Sequence, residues 1–166
     1  MNELYYDIAV IGAGPAGLAA AAAAKKEGVE KIVIIERDFR PGGILEQCIH
    51  TGFGLKYFGE ELSGPEYAQR FIDVCQAEGI EILLDTMVLN IDGKDHLIHA
   101  INREGAVRIK AGAIILSMGC RERTRAQILI PGSRPAGIYT AGSAQRFCNV
   151  QNHIVGKEIV IVGSGD

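Results

Sequence analysis

The chain has 166 residues, 48% of them hydrophobic, with 17 Lys and Arg against 20 Asp and Glu for a formal net charge of −3. Such a length and apolar share suit one globular domain with a proper core. A mildly acidic chain without a Lys/Arg block lacks the basic patch that nucleic acid or an anionic membrane would require, which leaves small molecules as the expected partners.

The first apolar stretch is interrupted by glycines and preceded by Glu3 and Asp7. It therefore reads as neither a signal peptide nor a membrane span, and the cytoplasm is the expected compartment. Cys48, Cys75, Cys120 and Cys148 lie far apart without a C-x-x-C pair, so reduced thiols and no metal site are expected.

In chain order, residues 7–11 read as a strand, residues 12–17 as a tight turn and the alanine run ending at Gly28 as a helix. The run "KIVIIE", residues 31–36, is continuously apolar, as in a parallel strand buried on both faces, and completes a βαβ unit. Pro41, Gly42 and Gly43 then break the pattern. With Gly52, Gly54, Gly59 and Gly64 further on, the segment to residue 64 reads as a long irregular connection, a kind of loop that usually carries function. Ser63 and Pro65 start a second helix that Gly79 ends, with Phe71, Val74 and Cys75 on its apolar face.

Residues 80–91 read as one strand. Residues 96–112 read as two antiparallel strands turning at Glu104 and Gly105, a small meander laid over the parallel sheet, and residues 113–118 as a further buried strand. After the turn "PGSRPAG" come a short strand at 138–140, a helix through Phe147 and a last apolar strand in "KEIVIVGSGD". The fold class expected is thus α/β, a Rossmann-like domain with a parallel sheet and a small antiparallel β-meander.

Gly12, Gly14 and Gly17 fit G-x-G-x-x-G between a strand and a helix. The first glycine permits the sharp turn, the second lets a pyrophosphate approach the backbone, and the third lets helix pack on strand. The helix N-terminus supplies free N–H groups and a positive dipole end. Glu36 closes the second strand, where a carboxylate meets ribose hydroxyls and repels a 2′-phosphate, so the adenosine ribose of FAD or NAD is favoured.

The segments "VIGAGPAGLAAA", "ERDFRPGGIL", "ILSMGCRERTR", "GIYTAGSAQRF" and "IVIVGSGD" occur in this order. Together they resemble the FAD-binding half of flavoproteins in the pyridine nucleotide-disulfide oxidoreductase superfamily. Within it the chain is most similar to the FAD/NAD subunits grouped with opine oxidase, hydrogen cyanide synthase and the alpha subunit of heterotetrameric sarcosine oxidase. The resemblance implies that Gly12, Gly14, Pro15, Ala16 and Gly17 hold the FAD pyrophosphate and that Glu36 and Arg37 lie at the adenosine ribose. It implies close passage of Gly42 and Gly43 past the cofactor, an adenine contact through the Val88 backbone, and FAD contacts from Ser117, Met118 and Gly119. Met118 and Cys120 depart from the small residues commoner there.

By the same resemblance, 1–150 would form the FAD-binding domain and 151–166 a linker and the first strand of an NAD(P)-binding domain, the chain being the N-terminal part of a longer protein. FAD, with NAD(P)H in the full-length protein, would be the cofactors. A small-molecule redox substrate and a partner oxidoreductase subunit would be the partners, and self-association of the isolated chain is a further expectation.

Disulfide-reducing relatives need a pair of thiols beside the flavin, one to attack and one to resolve. Here only Cys48 lies in that range, with His50 two residues on as a proton donor or flavin-orienting group. A buried thiol and a loop histidine remain the plainer reading of both. The cluster "RERTR", residues 121–125, reads as a solvated loop or as an arginine contact for a phosphate or a partner chain. The leading function is a flavin-dependent oxidoreductase. The alternatives are a nicotinamide-only dehydrogenase and a non-catalytic dinucleotide-binding module.

Overall fold

The structure, a computed structural model, describes residues 3–163. It falls into two compact units, one ending at Gly119 and the other beginning at Cys120.

The first unit opens with β1 (Glu3–Ile11) and α1 (Pro15–Lys26). Pro15 takes the first helical turn, where its missing N–H costs nothing. Lys25 and Lys26 sit in the last turn, where they complement the helix dipole, and Gly28 leaves the helix at φ 92°. Then follows β2 (Ile32–Ile35), buried at every residue. The connection expected to be irregular holds a 3-10 turn (Gly43–Gln47), β3 (Thr51–Phe53), α2 (Leu55–Phe58) and β4 (Leu62–Ser63).

Helix α3 (Gly64–Ala77) begins with a capping box. The Ser63 N–H and hydroxyl both donate to the Glu66 carboxylate, at 2.8 and 2.7 Å, and these bonds hold the Glu66 carboxyl below the usual carboxylate range. The remaining strands are β5 (Glu81–Leu83), β6 (Met87–Asp92), β7 (Leu97–Asn102) and β8 (Gly105–Leu116).

These strands form a six-stranded sheet in the order β5-β2-β1-β8-β7-β6, with β3 and β4 as a separate antiparallel pair. The β5, β2, β1 and β8 pairings are parallel, while β6, β7 and β8 form the antiparallel meander. Strand β8 belongs to both parts, because its first half pairs with β7 while Arg108–Leu116 runs beside β1. The second antiparallel strand, expected after Gly105, and the buried strand expected at 113–118 are therefore one strand.

Each face of the sheet carries a core. On one, Val10, Ile32 and Ile34 pack with Leu18, Ala21, Phe71, Ile72 and Cys75 of α1 and α3. On the other, Ala9, Ile11, Val33 and Ile35 pack with Ile98 and Ile109 of the meander, which covers that face. Each fully buried aliphatic side chain contributes roughly 1.5–3 kcal/mol.

The single strand expected at 80–91 is two. It breaks at Asp85, which has φ 50°, so that β5 and β6 lie at opposite edges of the sheet. The break is held by Thr86, 2% exposed, whose N–H donates to the Glu36 carbonyl at 2.9 Å and whose hydroxyl donates to Leu84 O at 2.8 Å. Apolar periodicity runs on through this corner and conceals it.

The second unit contains α4 (Ala141–Asn149), as expected. The short strand expected at 138–140 is absent, and Thr140 instead precedes the helix as its N-cap in an extended conformation. The last expected strand also differs. Residues 157–163 have no regular structure, and Ile159, Val160, Ile161 and Val162 are exposed, a strand having no stability without neighbours to pair its backbone. Residues 164–166 of that expectation lie outside the described residues.

Candidate functional site

The site grows from the C-terminal ends of β1, β2 and β8. Gly12 leaves β1 at φ 103°, a conformation that favours glycine. A Cβ there would lie 2.5 Å from the Ser117 carbonyl oxygen, so the turn after β1 and the turn after β8 touch through backbone. A Cβ at Gly17 would collide with the Gly12 carbonyl oxygen, which fixes Gly17 as the point where α1 meets the turn.

Gly14 differs from both. Its φ of −73° suits any residue, and a Cβ there would meet nothing within 4 Å. Neither backbone strain nor packing within this chain demands that glycine. The space beside its backbone is open to a ligand. Beside it, α1 begins with no side-chain cap and no acidic residue in its first turn, with Pro15 half-buried and Ala16 exposed.

Three segments hold this turn. Gly42 donates its N–H to Ala13 O at 2.8 Å and sits at φ 115°, and a Cβ on Gly43 would lie 2.9 Å from Gly14 Cα. Glu36, 8% exposed, accepts the Ala13 N–H at 2.8 Å with Oε2 and the Asp38 N–H at 2.9 Å with Oε1. Ser117 donates its N–H to Ile11 O at 2.9 Å, and its hydroxyl donates to Ile11 O at 3.0 Å and Gly12 O at 3.2 Å.

The peptide groups of Ala13 are thus gripped from both sides, a role that sequence reasoning missed, since no side-chain signal marks a backbone group. Each Glu36 oxygen keeps a further lone pair, so the carboxylate can still accept ribose hydroxyls.

The structure therefore brings Gly12, Gly14, Pro15, Gly17, Glu36, Gly42, Gly43 and Ser117 together. Arg37 is exposed next to Glu36. Met118, 63% exposed, and Gly119, at φ 68°, continue the turn after Ser117. Val88, in β6, lies two residues beyond Thr86, the residue tied to the Glu36 carbonyl, and packs against the second core with Leu83 and Ile91.

Cys48 is half-buried after the 3-10 turn, its carbonyl accepting Gly64 N–H at 2.9 Å, and all four cysteines are free. His50 is exposed, with Nδ1 3.0 Å from Thr51 O and its ring 5.3 Å from Phe53. Among the described residues no group of three His, Cys, Asp or Glu could hold a metal ion. No helix of the described residues is long and apolar enough to cross a membrane.

In the second unit, the "RERTR" segment has a structural use for its acidic residue. Glu122 accepts the N–H groups of Gly142 at 3.0 Å and Ser143 at 3.2 Å, capping α4, and the Gly142 bond foremost holds its carboxyl below the usual range.

The pyridine nucleotide-disulphide oxidoreductase family matches residues 6–166. The chain belongs to that family. It is 32% identical over 168 residues to thioredoxin reductase of Bacillus subtilis (strain 168), covering 99% of this chain and 48% of that protein. It is 26% identical over 170 residues to an opine oxidase subunit of Rhizobium meliloti, covering 97% and 31%. Among solved structures, L-proline dehydrogenase from P. horikoshii superposes with a TM-score of 0.76 at 20% identity, covering 94% of this chain and 30% of that one, a likeness of fold. The chain thus spans about half, or less, of the length of the curated relatives it matches.

Proposed function

We propose that this chain is the FAD-binding part of a flavin-dependent oxidoreductase in which a hydride passes between NAD(P)H, or an organic substrate, and FAD. The observation that carries the reading is Gly14, a glycine with ordinary dihedrals and open space where its side chain would stand. FAD, when bound, supplies the hydride-accepting ring. The chain's own residues bind and orient. Gly12, Gly14, Pro15, Ala16 and Gly17 receive the pyrophosphate, and Glu36, with Arg37 beside it, meets the adenosine ribose. Gly42, Gly43, Val88, Ser117, Met118 and Gly119 line the remaining length of the cofactor.

Under this reading, residues 1–150 supply the FAD domain and 151–166 lead toward an NAD(P)-binding domain in the longer protein. The opine oxidase relative is one subunit of its enzyme, which supports a small-molecule redox substrate and a partner subunit for that longer protein. Four free cysteines fit a reducing compartment, the cytoplasm. Cys48, with no further cysteine within five residues of it, is assigned no redox step.

The test has two arms. Purified chain mixed with FAD, then freed of excess, should retain flavin absorption bands, whereas NAD alone should bind far more weakly. The full-length protein, loaded with FAD and mixed anaerobically with NADH or NADPH, should bleach those bands. A chain that binds NAD tightly and excludes FAD would overturn the proposal in favour of a nicotinamide-only dehydrogenase.

A further inference from the structure

One side chain of the segment after β2 lies against the backbone that grips the glycine turn. Glu46 belongs to the 3-10 turn Gly43–Gln47, and Gly42, four residues earlier, precedes that turn. Gly42 is buried, at φ 115° and ψ −26°, and a Cβ on it would lie 2.8 Å from Glu46 Oε1 and 2.9 Å from Glu46 Cγ. The Glu46 side chain therefore rests directly on the Gly42 α-carbon. Its other carboxylate oxygen, Oε2, accepts from Arg40 Nη1 at 3.2 Å, and the Arg40 guanidinium stands 4.7 Å from the centre of the Phe39 ring. The Glu46 side chain is 17% exposed and that of Arg40 48%, so Arg40 reaches in from solvent and Glu46 is wedged between it and the chain.

Gly42 and Gly43 are the residues by which this segment meets the turn. The Gly42 N–H donates to Ala13 O at 2.8 Å, and Gly43 comes so near that a Cβ on it would lie 2.9 Å from Gly14 Cα. The approach to Gly14 depends on the missing side chain of Gly43, yet two adjacent glycines are also the freest backbone a chain can have. The residues that permit the contact have no side chains of their own to fasten it. Glu46 supplies that fastening from the next turn of chain, and Arg40 fixes where the Glu46 carboxylate stands.

We propose that Arg40 and Glu46 are a positioning pair, holding Gly42 and Gly43 in place so that Ala13 and Gly14 keep the shape that receives a pyrophosphate. The inference rests on the assignment of residues 12–17 to the pyrophosphate of FAD. Both residues act through Gly42 and not on the ligand. An exposed ion pair contributes little to overall stability, so the pair governs which shape the loop keeps rather than whether the chain folds. When the competent shape is populated only part of the time, apparent affinity falls by that fraction. Arg40 has a second use, since it neutralises a carboxylate that would otherwise weaken an anion site by repulsion.

The test titrates FAD into wild type, Arg40→Ala, Glu46→Ala, the double variant and Glu46→Gln, and follows amide exchange at Gly42 without cofactor. Each alanine variant should bind FAD about fivefold more weakly and exchange the Gly42 N–H about fivefold faster, with a thermal midpoint close to that of wild type. The double variant should be no weaker than either single one, because both changes remove the same contact. Glu46→Gln keeps the side chain's length and an oxygen for Arg40, and should bind within about twofold of wild type. Glu60→Ala is the control, since it breaks a different exposed ion pair, 2.6 Å to Arg70, and should change neither FAD affinity nor Gly42 exchange. Wild-type FAD affinity in Glu46→Ala, unchanged Gly42 exchange, additive losses in the double variant, or a loss matched by a fall in thermal midpoint would overturn the proposal. A wild-type chain that binds no FAD would instead overturn the flavin assignment, and the Gly42 exchange rates would then still decide whether the pair holds the loop.

Discussion

The Glu36 carboxylate and the Ala13 N–H, 23 residues apart in the chain, meet at 2.8 Å with the carboxylate 8% exposed. The residue expected to meet a ribose thus also braces the turn expected to meet the pyrophosphate. Glu36→Ala should leave the Ala13 and Asp38 N–H groups without their acceptor and destabilise the fold by about 1–3 kcal/mol. Glu36→Gln keeps one carbonyl acceptor and should cost less stability while still weakening FAD, by about 1.5–3 kcal/mol for a hydrogen bond to a charged group. Urea unfolding and FAD titration of both variants separate the two roles.

Gly17 and Gly14 should part company on substitution. At Gly17 a Cβ collides with the Gly12 carbonyl, which is backbone and cannot swing aside, so Gly17→Ala should destabilise by about 1–3 kcal/mol or more. Gly14→Ala has open space and permitted dihedrals, so its thermal midpoint should stay close to that of the wild type. Paired thermal melts check this contrast. Equal losses at both positions would show that the turn is built differently.

Acid should loosen the second unit through Glu122. Its folded-state pKa is lowered from 4.5, first by the Gly142 N–H, so it stabilises α4 fully above its unfolded pKa. That contribution disappears as pH falls through the depressed folded value. Glu122→Gln should lose the charged part of the cap at neutral pH and flatten the acid dependence of α4, read by amide exchange at Gly142 and Ser143.

Thiol reactivity should follow exposure. Cys75 is fully buried and burial pushes its thiol up to about 11, so it should resist alkylation until the chain unfolds. Exposed Cys120 and Cys148 should label rapidly in the native state. Rapid native labelling at Cys75 would mean that α3 opens from the sheet.

Much of this was legible in the sequence because its signals are local. The alanine run, the buried run at 32–35 and the helix start at Ser63 and Pro65 each follow from a few adjacent residues. What escaped depends on distant partners. The corner at Asp85 is set by Thr86 reaching the Glu36 carbonyl, the continuity of β8 by the full length of β1, and the bracing of Ala13 by groups at 36 and 42. Residues 157–162 have a strand's composition, yet a strand exists only with a neighbour, and composition carries no information about one.

The central claim is that the turn at 12–17 receives the pyrophosphate of FAD, and calorimetric titration of FAD into the wild-type chain and Gly14→Val tests it most directly. Valine at that position has allowed dihedrals and would fill the open space against which the phosphates are assigned. The account predicts an unchanged circular dichroism spectrum and thermal midpoint for Gly14→Val with FAD affinity lowered by about a hundredfold or more. A folded Gly14→Val chain that binds FAD as tightly as the wild type would contradict it.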